Sequence, residues 1–299
     1  MKKDFFSNNK ILFKINLLYL IALIPIIIFS YLKNGLAVYQ AHKISFFGSL
    51  QYLCIPILIV ILVYCLEILW FVYIKKDKDF DDVINSSVPL ICCLCYLVSG
   101  PRDSLFITVP LIVVTMFITK FLKKVSINQV ALFNVVLYGI LYALGLANNA
   151  NFLEASQATN YSLMQSFIGY GVGAIGVTSG LLGIIGYIIL LFNPYYKKSI
   201  PLYCIIFYFV IAGTMAVFKA DVTITDVLVG MFNNGIIFAS VFVAALSIYS
   251  PMMSSGKLAY GMLFGLIAGI LVAIGLGGVS PYIAILFASI VTPLLDRIK

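Results

Sequence analysis

The sequence predicts an all-α, polytopic membrane protein in which residues 1–299 form a single integral membrane domain. Hydrophobic residue types make up 63% of the 299 residues, charged types make up 10%, and the mean hydropathy is +1.10. Soluble globular chains are about 45–50% apolar and about 25% charged. A membrane-spanning helix needs about 20 mostly apolar residues, so the chain has room for about ten spans and short connections. The composition excludes an ordinary soluble enzyme, a disordered chain and a secreted disulfide scaffold.

Ten apolar stretches follow one another along the chain. Leu, Ile, Val, Phe and Gly run through them without the period-two alternation of membrane β-strands, so we expect helices. A helix also satisfies its own backbone polar groups in lipid. The first stretch is too long for the apolar region of a signal peptide, so we expect it to be retained as a span. The predicted spans are 11–32, 50–74, 83–99, 104–122, 128–147, 170–192, 200–218, 226–248, 257–275 and 280–295.

The Lys and Arg residues predict the orientation of these spans. If the N-terminus is cytoplasmic and each span changes the side, 15 of the 19 cations lie inside, and only Lys33, Lys43, Arg102 and Lys219 lie outside. Cytoplasmic connections are typically enriched in Lys and Arg, so we expect both termini to be cytoplasmic. The net charge of +8 then reflects the membrane topology, and we expect the cytoplasmic Lys and Arg residues to contact anionic lipid head groups. Nucleic-acid binding is not expected, because no basic soluble domain is present.

Glu67 is the one acidic residue well inside a predicted span. A carboxylate at this depth is costly unless it is paired, which makes Glu67 a candidate for an ion pathway. The alternative is a structural hydrogen bond, because Glu67 lies about two turns from the inner end of its helix. We predict no catalytic side chain and no metal site elsewhere in the chain.

The longest connection, residues 148–162, is predicted to lie outside. It is polar and contains no Lys or Arg. A glycine series follows it at Gly169, Gly171, Gly173, Gly176, Gly180, Gly183 and Gly186. Close helix packing explains such glycines, and close approach of the backbone to a planar or phosphate-bearing ligand is the functional alternative. Gly-rich segments recur in the last third, which suggests an internal repeat with spans 3–5 and 8–10 as counterparts.

Three stretches within residues 115–299 carry recognisable motifs. Ser156–Thr159 reads S-Q-A-T, and Gly173–Ser179 reads G-A-I-G-V-T-S. A third stretch starts at Asp221 and ends in Pro293–Arg297, which reads P-L-L-D-R. In order and spacing these stretches resemble S-G-A-T, G-x-I-G-E-T-S and P-L-I-D-R of a membrane flavoprotein family. That family comprises the RnfD protein of the Rnf electron-transport complex and the NqrB protein of the sodium-pumping NADH:quinone reductase. Residues 1–110 have only their hydropathy to support the assignment.

The resemblance implies a helical bundle of two related halves, similar to urea and ammonium channels. It implies FMN joined to Thr159 through a phosphodiester by a separate flavin transferase, and allows a second, noncovalent flavin. The chain would then be a redox subunit of a multi-subunit complex in the cell membrane, with the flavin carrying the electron chemistry and with ion translocation as a coupled activity. The other cofactor-binding residues implied are Ser156, Ala158, Gly173, Gly176, Thr178 and Ser179.

The chain departs from the family pattern at several polar positions. Leu153 stands where the flavin transferase motif has an acid, Gln157 replaces the Gly before Ala-Thr, and Val177 replaces the Glu of G-E-T-S. Leu246-Ser247 stands where the family has Asp-Pro, and Ser289 replaces an Asn. These departures favour a divergent branch that serves a simpler electron-transfer chain. Two other interpretations are a solute transporter or channel of related two-half fold, and a scaffold subunit that has lost its flavin.

Overall fold

A computed structural model describes residues 9–75, 86–101, 103–121, 127–146, 162–171, 173–218 and 222–297. Within these ranges all regular structure is helical. The helices are α1 (Asn9–Ser30), α2 (Phe46–Trp70), α3 (Val88–Leu97), α4 (Leu105–Phe121), α5 (Gln129–Ala143), α6 (Leu163–Ile168), α7 (Gly180–Leu191), α8 (Ser199–Phe218), α9 (Ile224–Asn233), α10 (Ile236–Phe238), α11 (Ser254–Ile274) and α12 (Ser280–Leu295). Three of them continue into π-helical segments, namely α1 into Tyr31–Leu36, α2 into Phe71–Lys75 and α10 into Ala239–Ala244. A further α-helical turn, Ala37–Gln40, follows the π-helical segment of α1.

Five helices of the described chain are long and apolar enough to cross a membrane. A sixth candidate is the pair of α9 and the α10 segment, Ile236–Ala244, which bends by 59° at its junction. The other four predicted spans each contain a shorter apolar helix, namely α3, α4, α5 or α7. The chain is therefore a multi-pass helical membrane protein, whereas ten complete crossings and cytoplasmic termini stay predictions. The five long candidates are Leu12–Gln40, Phe46–Tyr73, Ser199–Phe218, Ser254–Ile274 and Gly277–Leu295.

Side-chain caps fix where several helices begin. The first amide groups of a helix have no partner within the helix, and a Ser, Thr or Asn side chain at the preceding position accepts from one of them. Ser45 caps α2, Asn128 caps α5 and Ser179 caps α7 in this way. Ser162 and Thr223 form reciprocal capping boxes at the starts of α6 and α9.

One face of α1 is apolar and uncovered by the rest of the protein. Its exposed side chains recur at intervals of three or four residues, which is the helical repeat. In water such an apolar face would need to be covered by another protein surface. In a membrane the lipid hydrocarbon chains are equally apolar, so the face can remain exposed to them. The exposed residues are Leu17, Ile21, Ile24 and Ile28.

Two short helices form the centre of the bundle. Every residue of α3 is buried, and so is every residue of the α10 segment. A helix that ends inside the core leaves its last carbonyl groups without helical partners, and each unpaired carbonyl in an apolar environment is costly. These two helices therefore need hydrogen-bond donors from their neighbours.

Side chains from surrounding segments supply those donors to the α10 segment. Tyr19 Oη donates to the carbonyl of Ala245 over 3.2 Å, and Tyr196 Oη donates to Val241 O over 3.0 Å. Asn128 Nδ2, at the start of α5, donates to Val243 O over 2.9 Å. These three bonds link α1, α5 and the turn before α8 to the central helix.

Helix α11 packs closely on α8 through a row of glycines. A Cβ atom at Gly261, Gly265 or Gly269 would come within 2.4, 2.5 or 2.7 Å of atoms of α8, respectively. At Gly265 the nearest atoms include the backbone carbonyl carbon of Phe207, so the obstruction cannot rotate away. Small residues at helix interfaces let membrane helices approach in this way.

We expect Gly265→Ala to lower the stability by about 1–3 kcal/mol, because a methyl group overpacks the α8–α11 contact. The matched control is Gly213→Ala in α8, where a Cβ would meet nothing within 4 Å. This control should be neutral or stabilising by up to about 1 kcal/mol, since Ala favours helix more than Gly does. Thermal unfolding in detergent, followed with a thiol-reactive dye that reports exposure of buried cysteines such as Cys204, measures both. Equal midpoints for the two variants would contradict the packing argument.

Candidate functional site

Residues 169–171 and 173–179 form a glycine-rich segment, called the 169–179 segment, that lies against the end of α3. Ile175 N donates to Ser99 O over 2.9 Å, and Gly176 N donates to Leu97 O over 2.8 Å. Asn134 Nδ2 donates to the carbonyl between these two, Val98 O, over 3.1 Å. The segment therefore provides donors for carbonyl groups at the end of a buried helix, and this contact fixes its place in the bundle.

Lys33, at the end of α1, tethers the same segment. Its ammonium donates to the carbonyl of Gly171 and, over 2.8 Å, to Thr178 Oγ1. The adjacent Asn34 Nδ2 donates to Ile175 O over 3.4 Å. The Lys33 side chain therefore ties the end of α1 to two points of the segment, Gly171 and Thr178.

The glycines of the series all pack against protein atoms. At each of the seven positions from 169 to 186, a Cβ atom would come within 3.0 Å of another residue. A Cβ atom at Gly180 would meet the ring of Phe232, and one at Gly186 would meet the ring of Phe242. At Gly183 it would meet the side chain of Ile237. In the described arrangement these glycines serve close packing, so the contacts favour the packing interpretation over a ligand cradle.

The break between α9 and α10 lies directly against this segment. Gly235 has φ +70°, a left-handed conformation that glycine adopts without strain. The nearby Asn233 is buried, and its amide points at Gly171, where a Cβ would come 2.0 Å from Asn233 Oδ1. Neither Oδ1 nor Nδ2 of Asn233 has a hydrogen-bond partner within the described ranges. A buried amide without partners costs free energy, so Asn233 is a polar group of this region with unused hydrogen-bonding capacity.

An acidic group, Asp103, lies in the turn that follows α3. Its Oδ2 accepts from Gly100 N over 2.6 Å. Burial raises the pKa of Asp103 to about 6, and the hydrogen bond from Gly100 opposes that rise. The carboxyl group is therefore protonated in mildly acidic solution and ionised at neutral pH.

The predicted cofactor-binding residues fall into two groups. Thr159, Ser156 and Ala158 lie outside the described residues. Gly173, Gly176, Thr178 and Ser179 lie together in the 169–179 segment.

The hydroxyl groups of the second group already have protein partners. Thr178 Oγ1 accepts from Lys33, whereas Ser179 Oγ donates to Ile168 O over 2.7 Å and caps α7. In the described arrangement both hydroxyl groups are hydrogen-bonded to protein groups, and both glycines pack against protein atoms, so none of the four is exposed for contact with a noncovalent flavin. Their part in cofactor binding stays a prediction.

Glu67 lies at the other end of α3. It is buried, and Ser86 Oγ donates to its Oε1 over 2.9 Å. Asn16 Nδ2 donates to Ser86 O over 3.1 Å, which connects α1 to the same point. Since α3 has ten residues and is about 15 Å long, Glu67 is not part of the 169–179 site. The hydrogen bond from Ser86 supports the structural interpretation, and a role in an ion pathway stays a prediction.

Sequence reasoning missed Lys33 and Asn233 as members of the site. The sequence marked Lys33 only as one of the four outside cations, and its partners are 138 and 145 residues away. Asn233 had a local signal, because Asn233-Asn234-Gly235 interrupts the apolar run of the eighth predicted span. A polar pair followed by glycine within such a run is typical of a broken helix.

A sequence profile described as the NQR2, RnfD, RnfE family matches residues 2–299. The match extends over the first 110 residues as well as the region whose motifs carry the resemblance. No curated protein matches the chain.

We expect Lys33→Met to loosen the 169–179 segment, because it removes the ammonium and retains most of the apolar stem. Each hydrogen bond contributes about 0.5–1.5 kcal/mol and Lys33 donates two, so the amides of Ile175 and Gly176 should exchange with solvent deuterium about tenfold faster. Hydrogen-exchange mass spectrometry in detergent measures this change. Lys43→Met, at an exposed lysine of the next connection, is the matched control and should leave the exchange unchanged. Unchanged exchange in Lys33→Met would show that the ammonium does not hold the segment.

Proposed function

The chain belongs to the NQR2, RnfD, RnfE family, and we propose from this that it is the membrane subunit of an Rnf- or Nqr-type electron-transport complex. We further propose that it carries FMN on Thr159, on the outer face of the cell membrane. The observation that carries the proposal is the family match over residues 2–299, together with the S-Q-A-T stretch at Ser156–Thr159.

The helices on either side of Thr159 support an attachment site in this connection. Helix α5 ends at Ala143 and α6 begins at Leu163, so the connection between them joins two ordered helices. Helix α6 has a capping box at its start, and the ring of Phe167 packs edge-on against Phe232 at 5.4 Å. The helix that follows the connection is therefore anchored to α9.

Covalent attachment of FMN requires only one functional group of the protein. A phosphodiester needs one hydroxyl group, which Thr159 has, and the flavin supplies the electron chemistry when it is bound. Residues 148–162 carry one acid, Glu154, and no cation.

The proposal assigns the remaining steps to partners. The described residues form no strand, and therefore no strand-turn-helix unit of the kind that carries a nucleotide-binding fingerprint, so we propose that other subunits supply the NADH site and any iron–sulfur clusters. A separate flavin transferase would attach the FMN. Ion coupling would involve Glu67, the buried carboxyl group at the other end of α3.

We expect wild-type protein, co-expressed with a flavin transferase, to give a band with flavin fluorescence on a denaturing gel. Thr159→Ala should abolish that fluorescence, because no hydroxyl remains to form the phosphodiester. Thr225→Ala, at an exposed threonine near the start of α9, is the matched control and should retain it. Mass spectrometry of the peptide around Thr159 gives an independent readout.

Two outcomes would contradict parts of the proposal. A wild-type band without fluorescence would overturn covalent attachment, and absence of flavin from the denatured extract as well would favour the scaffold interpretation. Fluorescence that persists in Thr159→Ala would place the covalent link on another residue.

A further inference from the structure

Lys197 has its ammonium group inside the protein, in a cluster of three oxygen atoms. The residue is only 7% exposed, although it lies in the short connection between α7 and α8. Its Nζ donates to Ser247 O over 3.0 Å, to Ser250 O over 2.6 Å and to Ser250 Oγ over 2.9 Å. These three acceptors are uncharged oxygens from the turn that follows the α10 segment, and Asp296, which accepts from Met252 N, brings a carboxylate to the end of the same turn. The cluster therefore offers a positive ion several oxygen ligands from a single turn.

The oxygens of this cluster are oriented towards the ammonium position. Ser250 Oγ donates its own proton to Leu246 O over 2.9 Å, which leaves its lone pairs for Lys197. The cluster also lies just beyond the C-terminal end of the α10 segment, Ile236–Ala244. Because the helix dipole places partial negative charge at a C-terminus, this location favours a cation.

Other contacts hold the turn in place without the ammonium. Tyr196 Oη donates to Val241 O over 3.0 Å, and Ser247 Oγ donates to Tyr195 O over 3.3 Å. Met252 N donates to Asp296 Oδ1 over 2.7 Å, and Thr292 Oγ1 donates to Tyr249 O over 3.1 Å. The oxygen cluster is thus held by bonds to α12 and to the turn before α8, so it would persist if the ammonium were removed.

We propose that this cluster is a binding site for a small monovalent cation, and that the chain fills it with its own Lys197 ammonium. Converging carbonyl and hydroxyl oxygens replace the hydration shell of K⁺ in the same way. The tethered ammonium takes the place of a diffusible cation at the end of the broken helix. This inference does not depend on flavin or on the electron-transfer role.

The test removes the ammonium and supplies a cation from solution. Lys197→Met retains most of the apolar stem and vacates the position of Nζ, whereas Lys198→Met, at the exposed neighbouring lysine, is the matched control. Full-length protein in detergent is heated in choline, ammonium, methylammonium, potassium or sodium chloride at equal ionic strength. Unfolding is followed with a thiol-reactive dye.

We expect Lys197→Met to unfold about 5 °C or more below wild type in choline chloride, because the oxygen cluster is left without a cation. Ammonium or potassium chloride should restore at least half of this loss in a saturable way. Wild type and Lys198→Met should show no difference among the salts. Adding Ser250→Ala to Lys197→Met should raise the ammonium concentration for half-maximal rescue about tenfold, since one oxygen ligand is lost.

Two results would overturn the proposal. One is an equal midpoint of Lys197→Met in all the salts, and the other is an equal rise in wild type and both variants with ammonium. If Lys197→Met fails to fold in choline, recovery of monodisperse protein by size exclusion after extraction in ammonium decides the matter. Recovery in ammonium alone supports the cation site, whereas equal recovery in both salts, or none in either, contradicts it.

Discussion

The protein depends on satisfying the backbone carbonyl groups of two helices that end inside its apolar core. Helix α3 and the α10 segment are buried along their whole length, so neither water nor lipid head groups can reach their ends. An unpaired carbonyl there would cost several kcal/mol. Tyr19, Tyr196, Asn128 and Asn134 donate to these carbonyls from α1, α5 and the turn before α8. Helix α5, with its cap residue Asn128, and the 169–179 segment both contact the two central helices, so together they fix the relative position of these helices.

Two lysines extend the same principle to the irregular segments at the ends of the bundle. Lys33 and Lys197 each donate to main-chain oxygens of a non-helical turn at least 50 residues away in the sequence. A lysine ammonium has three donors on a flexible stem, so it can serve carbonyl groups that no backbone amide reaches. In both cases the charge that marks membrane topology in the sequence is also a structural cross-link.

Local properties of the chain predicted the helices well, and the non-local contacts remained hidden. Hydropathy located ten apolar stretches, and each contains a helix. It did not show that the stretch at 83–99 holds a ten-residue helix surrounded by protein, because core and lipid select the same side chains. The glycine series left packing and ligand approach open, since partners such as Phe232 and Phe242 lie about 50 residues further along the chain. The hydrogen bonds of Lys33 have no local signal for the same reason.

The burial of α3 has a consequence for how the protein is made. Its ten residues span about 15 Å, roughly half the hydrocarbon thickness of a bilayer, so the isolated helix cannot reside stably across the membrane. It must enter together with α2 or α4 and wait for α5 and the 169–179 segment, which are synthesised later, before its terminal carbonyls are paired. The end of α3 therefore acquires its last hydrogen-bond donors only after the 169–179 segment has been synthesised, about 80 residues after α3 itself.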